Sequence, residues 1–361
     1  MNSASDAPIP PIVRAPLFFN RNRVFRIYKA GKLFRDFFGD TDCRDTDDGG
    51  NYPEEWIASS IRSRNEGPKN EKEGLSTVRG TETTLAALMR DFPLEMTHGK
   101  PFDVLVKALD SGIRLPAQVH PDKSFARTHF HSAHGKTEAW LMLATQPGAS
   151  IYFGFKEGVT RADLERTSAK SEHDPDAFLE IMQEFPARVG DVWLIPGGAM
   201  HAIGDGCLLL EVQEPTDWVI APEHWCGTHR LSEELMYFGL EPRTALECFD
   251  FSLAGKRALD VGKKSPLILE KGDAYTREAL ITYEDTPCFA MTRHTLRAGD
   301  CKLRGPAIFV VIDGAGFLNH SGERRELKRG DYFFLPYAAG EAAAETGTRL
   351  QIVECLASRP A

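Results

Sequence analysis

Many short apolar runs separated by turn residues limit the possible fold of this chain more than any other feature. The runs are rich in Val, Ile, Phe and Leu, and 31 glycines and 22 prolines are scattered between them. Examples are FDVLVKAL, EAWLMLA, SIYFGF, DVWLIP, CLLLEVQ, AIFVVIDG and DYFFLP. Short β-type runs with turn signals between them favour an all-β sandwich or barrel over an alternation of strands and helices. We therefore predict a mostly β fold.

Helical spacing interrupts this β pattern at three places. Residues 83–92, 161–185 and 231–249 have apolar side chains at helical intervals, and threonines stand near the first of them as caps. These segments predict helical insertions between the strands.

A weak internal duplication is also visible. The stretch FPARVGDVWLIPGGAMHAIGDGCLLLEVQE has a counterpart in RRELKRGDYFFLPYAAGEAAAETGTRLQIVECL. Each has a basic residue two positions before Gly-Asp (Arg188 and Lys328), an aromatic-aliphatic run, a Pro turn and a closing run with Glu near its end. A repeat of this length predicts two copies of one β-domain. Where the first copy has His201, the second has Gly340 and Glu341, so we expect only the first copy to bind a metal.

Composition excludes several classes of function. No run approaches the roughly 18–20 apolar residues that span a bilayer. A formal net charge of -9 without a basic block disfavours nucleic acid as a partner. The amino end lacks a secretory signal pattern, and the seven cysteines contain no C-x-x-C pair, which predicts a cytoplasmic protein without a disulfide framework. A small molecule is the expected ligand; the oligomeric state stays open.

Polar side chains accompany three of the predicted strands. Gln118 and His120 close the segment GIRLPAQVH, and Lys136 and Glu138 precede the run AWLMLA. Residues at i and i+2 of an extended strand face the same side. His201 follows a Pro-Gly-Gly turn at the start of a third strand. Because barrel strands lie about 4.8 Å apart, inward positions on neighbouring strands can converge on one ion.

Two imidazoles, one carboxylate and one amide oxygen suit zinc or another divalent first-row metal. From spacing alone, the same groups could equally be hydrogen-bonded polar residues inside the barrel. Glu211 and Gln213 repeat the i, i+2 spacing at the end of CLLLEVQ. We interpret His129, His131 and His134 in HFHSAH as solvated loop residues rather than ligands.

Several segments together carry a family resemblance. They are EEWIASS, LVKALD, QVHPD, GKTEAW and GDVWLIPGGAMHAIGDGCLLLEVQE. In this order and separation the chain resembles the class I mannose-6-phosphate isomerases, which are two-domain cupin proteins. The likeness extends from about residue 20 into the second barrel and is densest between residues 100 and 217.

The resemblance implies two cupin (jelly-roll) β-barrel domains with helical insertions. We expect a flexible tail over residues 1–18 and a metal-binding cupin domain over 19–228. A helical connection over 229–262 then leads to a second cupin domain without metal ligands over 263–361.

The resemblance also implies one zinc ion per chain. Its implied ligands are Gln118, His120, Glu138 and His201. Lys136 and Glu211 are the implied catalytic residues of the sugar pocket. The family's reaction interconverts mannose 6-phosphate and fructose 6-phosphate through an enediol, moving a proton between C1 and C2. That chemistry needs a Lewis acid at the substrate oxygens and a base near the transferred proton.

Ala221 departs from the family pattern, which has a catalytic arginine at this position, ten residues after the pocket glutamate. Removing one preorganised donor costs about 3–4 kcal/mol of transition-state stabilisation. This change favours two alternatives, an isomerase of the same architecture acting on another sugar and a metal-dependent sugar-binding cupin without turnover. A further alternative is a cupin dioxygenase. The last would need iron and prefers a histidine where Gln118 stands.

The phosphate site is predicted in the stretch WIASSIRSRN. Ser59, Ser60, Arg62 and Arg64 offer hydroxyl and guanidinium groups that suit a phosphate dianion, and Ser59 and Arg62 are our candidates. A solvated basic turn is the alternative. Trp140 is a candidate for stacking on the sugar, with a buried core position as its alternative.

Overall fold

The structure, a computed structural model, describes residues 9–39, 50–64 and 72–359, and these residues are mostly β. No helix in these ranges is both long enough and apolar enough to cross a bilayer. The cysteines in the same ranges are free thiols, and Cys43 lies outside them.

The strands are β1 (Leu17–Phe18), β2 (Arg23–Val24), β3 (Glu54–Ile57), β4 (Leu105–Asp110), β5 (Glu138–Thr145), β6 (Ser150–Phe155), β7 (Met182–Pro186), β8 (Val192–Ile195), β9 (His201–Ile203), β10 (Cys207–Gln213), β11 (Trp225–Cys226), β12 (His229–Arg230), β13 (Lys263–Lys264), β14 (Leu267–Lys271), β15 (Tyr275–Ile281), β16 (Ala290–Leu296), β17 (Gly299–Arg304), β18 (Ala307–His320), β19 (Glu323–Lys328), β20 (Tyr332–Leu335), β21 (Glu341–Thr346) and β22 (Leu350–Leu356).

The α-helices are α1 (Leu33–Phe38), α2 (Leu85–Asp91), α3 (Pro93–Thr97), α4 (Lys123–Phe130), α5 (Arg161–Ser171), α6 (Glu233–Tyr237), α7 (Pro242–Ala245) and α8 (Gly255–Gly262). Short 3-10 helices cover Pro11–Arg14, Ala177–Glu180, Leu246–Cys248 and Tyr337–Ala339.

Two large antiparallel sheets have the same internal order. The first runs β13-β8-β5-β10-β4-β3-β2, and the second has the path β1-β20-β18-β22-β16-β15-β14. A smaller set of strands faces each one: β7-β6-β9 in the first half, and β17, β21 and β19 beside the long β18 in the second. Strands β8, β9 and β10 thus correspond to β20, β21 and β22, which is the relation that the duplicated sequence predicts.

Strand alternation gives each large sheet two different faces. On β10, Leu208, Leu210 and Val212 belong to a core that also contains residues of the second large sheet, such as Val310 and Val353. The intervening side chains of β10 point to the opposite side, because successive strand residues alternate. Glu211 is one of them and therefore faces the interior of the first half.

Each large sheet has an edge strand that comes from outside its own half of the chain. β1 pairs with β20 of the second sheet, and β13 pairs with β8 of the first. Residues 9–18, which we expected to be part of a flexible tail, instead hold a 3-10 helix with a fully buried Val13 and the strand β1. Residues 1–8 of that expected tail lie outside the described ranges.

The predicted helices form, but two of them are shorter than expected. Thr84 caps α2 by accepting a hydrogen bond from the Ala87 amide, and Thr160 caps α5 in a reciprocal box with Asp163. The helix expected to reach residue 185 ends at Ser171, because the following residues form a 3-10 turn and then β7. The segment 231–249 is divided into α6, α7 and a 3-10 turn, since Pro242 begins a new helix.

Candidate metal site

Three side chains predicted as ligands converge inside the first half of the molecule. His120 lies after the Gln118–Val119 segment, Glu138 begins β5 and His201 begins β9. Their ligand atoms all lie within 4.8 Å of one another, and all three residues are buried. His120 Nε2 is 3.2 Å and His201 Nε2 is 3.5 Å from the Glu138 carboxylate.

Hydrogen bonds to the far side of each ring fix how the two imidazoles point. His120 Nδ1 lies 2.8 Å from the Trp218 carbonyl, and His201 Nδ1 lies 2.9 Å from the Ala199 carbonyl. A carbonyl can only accept, so Nδ1 carries the proton and the Nε2 lone pair lies on the side of Glu138.

Burial keeps both imidazoles neutral. Burial and the Lys136 ammonium lower the pKa of His120 to about 3, and burial lowers the pKa of His201. For Glu138, burial alone would raise the pKa, but the neighbouring Lys136 ammonium outweighs it, and the carboxyl pKa lies well below its ordinary value. Neutral imidazoles and an ionised carboxylate are the protonation states that metal binding requires.

Buried ligand atoms without hydrogen bonds are a second observation that fits a divalent metal. Within the described residues, His201 Nε2 and Glu138 Oε2 are buried and make no hydrogen bond, although buried polar atoms are nearly always satisfied. Gln118 exchanges two 2.9 Å backbone hydrogen bonds with His201, which holds its half-buried side chain in the same region. Its role as a fourth ligand stays a prediction.

Lys136 and Trp140 both contact the ligands directly. The Lys136 Nζ atom lies 2.9 Å from His120 Nε2 and 3.4 Å from the Glu138 carboxylate. Trp140 is fully buried, and its indole donates a 3.1 Å hydrogen bond to Glu138. The tryptophan therefore orients a ligand from the core.

A cavity of about 170 Å³ adjoins the convergence point. Gln118, Lys136 and Glu138 lie in its wall, and Glu211 lines it from β10. Further charged groups in the wall are Arg26, Glu54, Arg64, Lys107 and Asp217. The cavity wall thus combines two of the candidate ligands, Gln118 and Glu138, with both predicted catalytic residues.

Glu211 sits in a buried network of charges. Lys107 Nζ on β4 lies 3.1 Å from Glu211 and 3.5 Å from Glu54 on β3. Burial and the charge of Glu138 raise the pKa of Glu211 to about 7. Burial would also raise the pKa of Glu54, but Arg26 and Lys107 hold it well below its ordinary value.

Lys107, Glu54 and Arg26 were not among the predicted site residues. Lys107 is the one basic residue within the buried strand LVKALD, a signal that could have identified it, and Glu54 belongs to the matched stretch EEWIASS. Arg26 bonds to Glu54 at 2.9 Å and to Asp217 at 3.1 Å, and its sequence context shows no such signal.

The three predicted substrate residues are not among the described residues that line the cavity. Ser59 is buried, and its hydroxyl donates a hydrogen bond to the Ile61 carbonyl. Arg62 is exposed, and neither it nor Ser59 or Trp140 is among the described residues that line the cavity. Arg64, from the same stretch, does line it.

Ala221 lies in an apolar part of the same wall. Its neighbours in the lining include Val219, Leu231, Leu235 and Phe238. Its amide donates a 2.8 Å hydrogen bond to the Met236 carbonyl. An arginine at this position would extend from a wall of otherwise apolar side chains.

Comparisons with known proteins agree with the resemblance. No family model matches the chain. Mannose-6-phosphate isomerase ManA of Bacillus subtilis (strain 168) is 29% identical over 254 residues, covering 69% of this chain and 73% of that protein. Mannose-6-phosphate isomerase of Streptococcus mutans is 25% identical over 250 residues, covering 65% and 68%. The resemblance to mannose-6-phosphate isomerases is confirmed.

Solved structures show a similar fold. The crystal structure of mannose 6-phosphate isomerase from Bacillus subtilis superposes with a TM-score of 0.72 at 23% identity, covering 94% of this chain and 99% of that one. A mannose 6-phosphate isomerase bound with zinc and yttrium gives a TM-score of 0.68 at 14% identity, covering 95% and 100%. At these identities the structural likeness is one of fold.

Proposed function

We propose that this chain is a zinc-dependent aldose–ketose isomerase that interconverts mannose 6-phosphate and fructose 6-phosphate. The observation that carries the proposal is the convergence of His120, Glu138 and His201 beside a cavity that also contains Lys136 and Glu211. The curated relatives named mannose-6-phosphate isomerase support the choice of substrate. The free thiols in the described residues agree with a cytoplasmic protein.

The proposed architecture is a pair of cupin jelly-roll barrels. The matching strand orders of the two large sheets support it. In the second barrel, Glu341 begins the strand that corresponds to β9, where the first barrel has His201. The second barrel therefore lacks one of the ligands, and we assign metal binding to the first.

Gln118, His120, Glu138 and His201 would hold the metal, one ion per chain. When bound, a zinc ion supplies a Lewis acid that polarises the substrate oxygens at C1 and C2. The Nδ1 hydrogen bonds of the two histidines, described above, would orient both rings toward the ion.

Glu211 is the proposed base that carries the proton between C1 and C2. A pKa of about 7 lets it exist in both protonation states near neutral pH, as a group that takes up and returns a proton must. The Lys136 ammonium lies at the ligands and can donate to a substrate oxygen as negative charge develops on it. Lys107 holds Glu211 in place by their 3.1 Å ion pair.

Ala221 favours a second candidate: a protein of the same architecture that acts on, or only binds, another sugar. The cavity wall around Ala221 is apolar where the family pattern has a cation. An isomerase for a different sugar and a sugar-binding cupin without turnover both fit that wall.

A coupled assay of fructose 6-phosphate formation from mannose 6-phosphate separates these candidates. We expect turnover that a chelator abolishes and zinc restores. The matched controls are His120→Ala, which should be inactive, and His129→Ala, a change of a histidine on α4 outside the ligand group, which should retain activity. Sugar binding without turnover in the zinc-loaded protein would favour the second candidate.

A further inference from the structure

The cations in the cavity wall differ in how their charges are compensated. Lys136 lies against Glu138, Lys107 lies between Glu54 and Glu211, and Arg26 is bonded to Glu54 and Asp217. The fourth cation is Arg64. In the part of the chain that the structure describes, its guanidinium forms no ion pair with a carboxylate. Among the cations of the wall, Arg64 is therefore the one whose charge is available to pair with an anionic ligand.

An aromatic platform holds Arg64 in place. Its guanidinium carbon lies 4.3 Å from the centre of the Trp218 ring, and its backbone amide donates a 3.3 Å hydrogen bond to Asp217. The Trp218 ring is stacked on the Phe130 ring with 4.6 Å between ring centres. It also packs against Phe238 in a T-shaped arrangement, with 5.3 Å between ring centres. Guanidinium groups stack well on aromatic faces and still present their N–H groups at the edge.

The same tryptophan connects Arg64 to the candidate metal site. The Trp218 carbonyl accepts the Nδ1 hydrogen bond of His120 at 2.8 Å, so one residue orients both a ligand and the arginine. Trp218 is nine-tenths buried, and its indole N–H has no acceptor among the described residues. The contact with Trp218 thus places the Arg64 guanidinium in the cavity wall beside a residue that also orients a candidate ligand.

We propose that Arg64, stacked on Trp218, binds the phosphate of the sugar substrate at the mouth of the cavity and sets the preference for phosphorylated over unphosphorylated sugars. This inference rests on the proposed function. Arg64 is exposed while the ligand group is buried, so the phosphate end of the substrate would lie outermost. Guanidinium groups suit phosphate dianions because their N–H groups match the oxygens in a bidentate geometry. Trp218 is a positioning residue in this arrangement.

Calorimetric titration of the zinc-loaded protein with fructose 6-phosphate, fructose and inorganic phosphate tests the inference. Arg64→Ala should weaken fructose 6-phosphate binding by about 10- to 100-fold, the range for one charge-assisted contact. The same change should weaken the binding of inorganic phosphate by a similar factor. It should alter the affinity for fructose by no more than about twofold. Arg62→Ala is the matched control, because Arg62 is exposed in the same turn and does not line the cavity; its affinities should not change.

Zinc content and melting temperature, measured for each variant, show whether the site is intact. Equal loss of affinity in the Arg62 and Arg64 variants, or equal loss for fructose and its phosphate, would overturn the role of Arg64. Undiminished fructose 6-phosphate binding by an active Arg64→Ala protein would overturn it while leaving the isomerase proposal standing. Fructose 6-phosphate binding that depends on Arg64 but is not accompanied by turnover would support the phosphate-binding role of Arg64. It would contradict the proposal that the protein is an isomerase. No binding of fructose 6-phosphate by the unaltered protein would overturn both.

Discussion

Replacing Lys107 by methionine should make the stability of the protein strongly dependent on pH. Lys107 is buried between Glu54 and Glu211, with 3% of its side chain exposed. Removing one member of a buried ion pair typically costs about 3–5 kcal/mol, because the remaining charge is left uncompensated. Methionine keeps the length of the side chain, so the loss would come mainly from the charge.

The pH dependence follows from the sign of the pKa shift at Glu211. Its pKa is already raised to about 7, and Lys107 opposes that rise, so the variant raises it further. A carboxyl whose folded pKa exceeds its unfolded pKa lowers stability as pH rises from the unfolded value through the folded one. Each further unit by which the folded pKa of Glu211 rises lowers the free energy of unfolding by about 1.4 kcal/mol, once the group is ionised. The variant should therefore be more destabilised at pH 8 than at pH 5.

Urea denaturation of both proteins at pH 5 and pH 8 measures this difference. Lys302→Met is the control, since Lys302 pairs with Glu341 at 2.9 Å on the surface with 70% of its side chain exposed. Such exposed pairs contribute little to stability, because solvent screens their attraction. A Lys107 variant with the same loss of stability at both pH values, or with no greater loss than the control, would refute the buried network.

Three further changes test other parts of the structure. Glu211→Gln should lower kcat by about 10²- to 10⁴-fold in folded, zinc-loaded protein, if Glu211 moves the proton; an unchanged kcat would assign the base elsewhere. Ala221→Arg should raise kcat in the coupled assay, by up to about 10²- to 10³-fold if the arginine reaches the substrate oxygens; a fall would indicate a pocket adapted to another ligand. Leu210→Ala should lower the free energy of unfolding by about 2–5 kcal/mol in urea titrations, because Leu210 is fully buried in the core shared by the two large sheets; a loss below 1 kcal/mol would argue against that core.

The strands and the shared faces of neighbouring polar side chains could be predicted because both depend on local patterns, whereas the ligand set followed from the family resemblance. Period-two alternation identifies a strand and also places Gln118 with His120 and Lys136 with Glu138 on shared faces. The match of β8–β10 with β20–β22 followed from the duplicated motif for the same reason.

What the sequence could not predict depends on contacts between distant segments. Leu17 and Phe18, which fall in the expected tail, form β1 because they pair with β20, more than 300 residues away. Arg26 enters the cavity through its bonds to Glu54 and Asp217, which no spacing rule connects. Nothing in the sequence distinguishes Arg62 from Arg64. The structure does, because Arg64 stacks on Trp218 and lines the cavity. The end of α5 at Ser171 is set by β7 pairing with β6.

The metal stoichiometry of purified protein tests the central claim most directly. After loading with zinc and removal of the excess, elemental analysis should find one ion per chain in the unaltered protein and in His129→Ala. His201→Ala, which removes a buried candidate ligand, should retain almost none. An unaltered protein that retains no zinc, or a His201→Ala protein that retains a full equivalent, would contradict the proposed site.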